Sequence, residues 1–218
     1  VKEVVHPSFI DLESRGGLGW LEGFNEWMVR CGLEYAGHPG TDQFINNTGD
    51  KATLDLTLHG KIQNIPASTQ KMIEDTEPPQ RTRNRGTVNE SFLDGPKLKL
   101  ITEISTLPGS NSFQISDQLT NEGPSPQEFQ LIYHGNYGSS ILEEGAMVFA
   151  PAQSVTPMND HAAKFLANWQ TYRGPTESFI EEVFLLKPLG TENAEALALL
   201  TNKAKDLATS VRWNLNEL

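Results

Sequence analysis

From Ala52 onward apolar and polar positions alternate with a period of two, the pattern of strands that bury one face. In residues 97–104 (KLKLITEI) Leu98 and Leu100 fall on one face and Lys97 and Lys99 on the other, and residues 112–119 repeat this through Phe113, Ile115 and Leu119. Between the two, Leu107-Pro108-Gly109-Ser110-Asn111 has hairpin chemistry, because Pro presets φ and Gly supplies the positive φ of a tight reversal. The run Asn121-Glu122-Gly123-Pro124-Ser125-Pro126 ends the second strand in the same way. The pattern predicts further strands over 128–134, 146–149, 178–186, 194–201 and 209–214.

Two stretches depart from the alternation. Residues 16–24 are rich in Gly and aromatic residues, which disfavours a long helix and predicts loops with one short helix around 24–29. Residues 161–170 have helical character, but they lie between strands, which suits a loop-borne helix better than a βαβ unit. Short strands with regular turn signals predict an all-β, antiparallel sandwich or barrel, and 218 residues suit one domain over 1–218.

Charge narrows the function classes. A net charge of -11, with no concentration of Lys and Arg, argues against nucleic acid as a partner. Arg81, Arg83 and Arg85 follow the acidic Glu74, Asp75 and Glu77, and the segment reads as a solvated loop. No apolar run approaches the roughly 18 to 20 residues of a membrane-spanning helix. Cys31 is the single cysteine, which excludes an intrachain disulfide, suits a reducing, cytoplasmic setting and reads as a buried structural thiol. The five histidines are far apart in sequence and no cluster has metal-ligand spacing, so no metal is expected, and no Gly-rich phosphate loop points to a nucleotide cofactor.

The candidate chemistry lies at strand ends. His59 follows the alternation of Leu54, Leu56 and Leu58 and precedes Gly60; it reads either as a ligand-facing imidazole or as a satisfied surface histidine. Ile132-Tyr133-His134-Gly135-Asn136-Tyr137-Gly138 ends an apolar strand with a mixture suited to a polyol, because aromatic rings stack on C–H faces while His and Asn meet hydroxyls. The same run also reads as a Gly-softened turn packed by two tyrosines. Glu181 and Glu182 are adjacent within the predicted 178–186 strand, so alternation sends them to opposite faces. Asp117 falls on what reads as the outward face of its strand.

These motifs, taken in order, resemble a known family. Gly19-Trp20-Leu21-Glu22-Gly23-Phe24, Cys31-Gly32-Leu33, Leu58-His59-Gly60-Lys61-Ile62, Asp117 with Asn121 and Gly123, Tyr133 to Gly138, and Glu181-Glu182-Val183-Phe184 resemble the aldose 1-epimerase-like family of the galactose-mutarotase superfamily. The resemblance implies a β-supersandwich that interconverts sugar anomers without a cofactor, with a small-molecule carbohydrate as the partner. It implies His134 as the proton donor to the ring oxygen, His59 as the histidine that orients the sugar, and Glu181 as a pocket carboxylate, with Glu182 outward. Asn136, Tyr133, Tyr137, Glu182 and Asp117 are the remaining expected sugar contacts. The family's late-strand catalytic Glu has no match in the sequence, and family strands before the Gly-Trp region and after Arg212-Trp213-Asn214 have none either, so the chain is expected to be incomplete. Two alternatives stay open: a sugar-binding sandwich without catalysis, and a different isomerase or lyase using the same pocket.

Overall fold

The structure, a computed structural model, describes residues 13, 15–22, 26–46, 48–93 and 95–217. It is an antiparallel all-β sandwich whose contacts divide it into two compact units, Val4–Asn136 and the remainder, chiefly Tyr137–Leu218.

The first unit contains β1 (Met28–Leu33), β2 (Gly40–Ile45), β3 (Lys51–Leu56), β4 (Thr69–Glu74), β5 (Thr82–Ser91), β6 (Lys97–Thr106), β7 (Phe113–Asn121) and β8 (Gln130–Gly135), with α1 at Gly19–Glu22. One sheet has the order β4-β5-β6-β7, and β1 pairs with β8 as a separate ribbon. Val29 stands opposite His134, and Arg30 opposite Tyr133. The period-two pattern determines what packs between these layers. Leu98 and Leu100 of β6 are buried with Leu33 and Ile62, and Val88, Leu119 and Leu131 close around them. The other face of the ribbon buries Val29 and Cys31 against Trp20, with Leu58 and Ile132 alongside. Burial pushes the Cys31 thiol up to about 12, as expected of a structural cysteine.

Two polar clusters bind the layers. Asp117 of β7 accepts hydrogen bonds from Arg30 Nε at 2.6 Å, from the Tyr133 hydroxyl at 2.9 Å and from the Thr102 hydroxyl. Its side chain is 4% exposed, so it faces inward; the outward placement expected from sequence is corrected. Tyr133 is pushed above the ordinary phenol range, first by burial and then by the charge of Asp117. In the second cluster Glu90 of β5, 6% exposed at its side chain, accepts from the backbone N–H of Leu33 at 2.8 Å and of Glu34 at 3.4 Å. Lys61 lies 3.9 Å from Glu90 and 2.6 Å from Glu34. Burial works against the Lys61 ammonium, but the hydrogen bond and charge of Glu34, with the charge of Glu90, hold its pKa above the ordinary value.

The second unit contains β9 (Met147–Phe149), β10 (Ala152–Pro157), β11 (Phe184–Pro188), β12 (Glu195–Thr201) and β13 (Ala208–Asn214), with α2 at Asp160–Ala163. It forms a sheet of order β13-β12-β9 and a β10-β11 pair. Ala196 and Leu200 of β12 are buried. The predicted 161–170 helix is one α-turn, capped by the Asn159 side chain accepting from Ala162 N–H, followed by a 3-10 turn at Leu166–Asn168.

Three sequence expectations are corrected here. Arg81 lies in the connection between β4 and β5, but Arg83 and Arg85 do not belong to a solvated loop: β5 begins at Thr82, and Arg83 on its outer face pairs with Asp75 at 2.5 Å and Glu103 at 3.8 Å. The 178–186 strand begins only at Phe184, after Gly174-Pro175 and the left-handed backbone of Ser178, so alternation does not place Glu181 and Glu182. Of the predicted 24–29 helix, Phe24 and Asn25 lie outside the described residues and Met28 and Val29 are in β1, while the short helix lies at Gly19–Glu22. The described part of the opening segment instead uses its glycines for close packing. A Cβ on Gly19 would lie 1.8 Å from the Glu13 carbonyl oxygen.

Glu90 supports a pH test. Burial, only partly offset by the Leu33 N–H, the Lys61 charge and the Glu34 N–H, raises its folded pKa above the ordinary carboxyl value of 4.5. Its contribution to stability is therefore fully present below the unfolded pKa and is lost as pH rises through the raised folded value. Urea titrations across that window should show the wild type losing stability relative to Glu90→Gln as pH rises, and a pH-independent difference would contradict the assignment. Glu90→Leu should cost about 1–3 kcal/mol, because it strands the buried Leu33 N–H without an acceptor.

Candidate functional site

On the ribbon face away from the four-stranded sheet, three rings from separate segments meet. The His59 and His134 centroids are 5.3 Å apart, and Trp20 lies 6.0 Å from His59 and 5.8 Å from His134. Trp20 is 5% exposed and forms the floor, while both imidazoles are half-buried. His38, exposed on the loop after β1, has its ring 6.4 Å from His59.

His134 reaches this face through strand alternation. It is next to Tyr133 in β8, so the two side chains point to opposite sides: Tyr133 toward Asp117 between the layers, His134 toward Trp20. The Asn136 Nδ2 atom lies 3.1 Å from the His134 carbonyl oxygen and 3.2 Å from His134 Nδ1. A carbonyl oxygen only accepts, so Nδ2 donates to it, and the second N–H of the same amide faces Nδ1. Asn136 thus occupies Nδ1, and Nε2 is the other ring nitrogen. The Asn136 backbone N–H donates to the Trp27 carbonyl at 2.8 Å, which fixes the amide relative to the start of β1.

His59 is held by its backbone. The strand ends at Leu56, and His59 takes φ 61°, a left-handed conformation that costs a non-glycine residue roughly 1–2 kcal/mol. Hydrogen bonds on both sides impose it: His59 N–H donates to the Gly37 carbonyl at 2.8 Å, and Gly32 N–H donates to the His59 carbonyl at 2.9 Å. Gly60 follows at φ 89°, pressed against the chain so that a Cβ there would lie 2.3 Å from the Tyr35 carbonyl oxygen and 2.5 Å from that of Gly32. The Leu-His-Gly sequence is therefore a turn requirement as much as a chemical motif.

The other expected contacts are placed differently. The Tyr133 hydroxyl and the Asp117 carboxylate are occupied by each other and by Arg30 and Thr102, so both bind the layers together and neither is directed toward the His134 face. In the second unit Tyr137 is half-buried and Glu181 is exposed. Glu182 is ion-paired with Arg173 and lies 3.8 Å from His161 Nε2, while Arg173 stacks over Phe165 at 4.7 Å and Phe179 at 4.8 Å. Glu182 thus does not point outward, as expected, but neutralises a stacked arginine. Sequence reasoning did not assign Trp20 to the site; its signal was the Gly19-Trp20 pair in the Gly-rich opening stretch. A cavity of about 430 Å³ at the β4-β5 turn, lined by Asp75, Pro78, Pro79 and Arg83 among others, contains none of these rings. Among the described residues, no group of three or more His, Cys, Asp or Glu is placed to hold a metal ion.

Comparison with known proteins gives two matches. The DUF4432 family, described as a domain of unknown function, matches residues 1–218. A crystal structure from Klebsiella pneumoniae subsp. pneumoniae, of a protein named as a "putative aldose 1-epimerase", superposes with a TM-score of 0.84 at 48% identity, covering 100% of this chain. The chain spans 54% of that neighbour's length. No curated protein matches.

Gly60→Ala forces a Cβ into two carbonyl oxygens at a positive φ and should lower stability by about 2 kcal/mol or more, read by chemical denaturation. An unchanged midpoint would show that the turn is not constrained as described.

Proposed function

We propose that this chain, which belongs to the DUF4432 family, supplies the histidine face of a sugar pocket and interconverts the anomers of an aldose by acid–base ring opening. The observation that carries this reading is the pairing of His59 and His134, with centroids 5.3 Å apart over the Trp20 indole. The similarity to a Klebsiella protein named for aldose 1-epimerisation supports it from outside the site.

The chemistry needs no redox partner. The ring oxygen gains a proton as its bond to C1 breaks, and the C1 hydroxyl gives its proton to solvent water as the C1 carbonyl forms. Rotation about C1–C2 and reclosure give the other anomer. His134 donates to the ring oxygen through Nε2, because Asn136 occupies Nδ1. His59, fixed by its turn, orients the sugar hydroxyls. Asn136 sets the His134 ring. No described helix is long and apolar enough to cross a membrane, and the buried thiol suits the cytoplasmic setting proposed here.

The test is anomer exchange of a panel of aldoses, followed by NMR magnetisation transfer with and without protein. His134→Ala should reduce the protein-dependent rate about 10²- to 10⁴-fold, the usual contribution of a positioned acid or base. Sugar-dependent shifts of the His59 and His134 resonances without faster exchange would favour a sugar-binding protein that does not turn over. The absence of both effects for every sugar tested would end the proposal.

A further inference from the structure

The 3-10 turn at Ile62–Asn64, immediately after His59 and Gly60, carries two consecutive side-chain amides whose bonds lead to different walls of the site. Gln63 Nε2 donates to the Leu58 carbonyl at 3.1 Å and to the Gly60 carbonyl at 2.9 Å, so one amide group brackets His59 from both sides. Asn64, 8% exposed, accepts the Trp20 backbone N–H on its Oδ1 at 2.8 Å, across 44 residues of sequence. The remaining polar atoms of this pair, Gln63 Oε1 and Asn64 Nδ2, are buried without a hydrogen-bond partner. Buried polar atoms are rarely left unpaired, and each one costs stability. Both side chains therefore keep an unfavourable atom buried in return for the contacts made by the other.

We infer that Gln63 and Asn64 are positioning residues that set the His59 imidazole and the Trp20 ring relative to His134. The 3-10 turn itself is anchored in the core by buried Ile62, which packs with Leu33, Leu98 and Leu100. The four-stranded sheet, the ribbon and two of the three site rings are thus referenced to one short turn. Gln63 adds to the backbone bonds of His59: its single amide nitrogen ties the Leu58 carbonyl to the Gly60 carbonyl, which also accepts the Thr57 hydroxyl at 3.2 Å, so the left-handed residue is held between two fixed carbonyls. Asn64 does the corresponding work for Trp20, where Gly19 allows the chain to come within reach: a Cβ there would stand 3.2 Å from Asn64 Oδ1. Neither amide is assigned contact with a ligand; both act through the rings they fix.

This inference rests on the proposed role of His59 for its functional consequence, but not for its structural one, so the experiment reads both. The full chain is compared with Gln63→Met, which keeps the volume and removes the donor, by assigning the His59 Hε1 resonance against a His59→Ala control. Loss of the bracket should shift His59 Hε1 while leaving His161 Hε1 in the second unit unchanged. In anomer exchange Gln63→Met should lower the rate constant for bound sugar about 10- to 100-fold, with a smaller change in KM, as expected when a reacting group is displaced by about an ångström. An unmoved His59 resonance in folded Gln63→Met overturns the inference, and so does an unchanged rate when His59→Ala is inactive. If His59→Ala is itself without effect on exchange, the functional reading fails while the His59 shift still decides the positioning claim. Should Gln63→Met fail to fold, Gln63→Glu, which turns an acceptor toward the two carbonyls, must shift His59 Hε1 at pH 7; an unmoved resonance there also overturns it.

Discussion

The Glu90 carboxylate is the contact on which the arrangement of the first unit depends. It is buried on β5 and accepts the backbone N–H groups of Leu33 and Glu34, where β1 leaves the ribbon. A ribbon of two strands has little stability of its own and must be fixed to another layer. Glu90 makes that attachment with two backbone hydrogen bonds in a place where water does not compete. Its cost is the desolvation that raises the Glu90 pKa, and Lys61 lowers that cost from 3.9 Å. Lys61 is two residues after His59, so the ion that eases the buried carboxylate also ties the histidine turn to the same anchor.

From that attachment the division between scaffold and site follows by strand alternation. The sheet-facing side of the ribbon carries Arg30, Tyr133 and Leu131, which meet Asp117 and the leucine core. The opposite side carries Val29, Cys31, Ile132 and His134. Tyr133 and His134 adjoin in sequence yet belong to different layers, one locked in a hydrogen-bonded cluster and the other available for chemistry. A one-residue slip of β8 against β1 would exchange those roles, and the Asp117 cluster opposes such a slip, because in the observed register both Tyr133 and Arg30 reach its carboxylate.

The strands with a regular period were legible in the sequence. Leu98, Leu100 and Leu119 announced β6 and β7, and those strands lie within two residues of the predicted positions. Strands that carry charge on one face were not legible: β5 holds Arg83 and Arg85 outward and Gly86 and Glu90 inward, a face with too few apolar residues to give a period-two signal. β1 was hidden for another reason. Its apolar Val29, Cys31 and Leu33 do alternate, but they follow the Gly-rich opening stretch that reads as loop and short helix, and Gly32 serves close packing, pairing with Gly60 where a Cβ would lie 2.2 Å from the Gln130 carbonyl oxygen. The histidines were found through their motifs, but Asp117 and Glu90 were misread or passed over, because a carboxylate on a strand looks solvent-facing until its donors are known. Those donors come from residues 57 and 87 positions away, a separation that local patterning does not register.

The burial of Trp20 constrains how a ligand could be recognised. An indole that stacks on a sugar must present a face, and this one is 5% exposed, with its N–H backbone held by Asn64 and both imidazoles against its rings. In the proposed pocket it therefore sets the spacing of the histidines and does not serve as a platform. Stacking surfaces tolerate many sugars, because every pyranose has an apolar face, whereas directed donors and acceptors read the pattern of hydroxyls. A site whose reachable groups are His59, His134 and exposed His38 would discriminate by hydroxyl position, and its selectivity would depend on how rigidly those rings are held. The backbone bonds of His59 and the amide of Asn136 supply that rigidity without contacting the ligand.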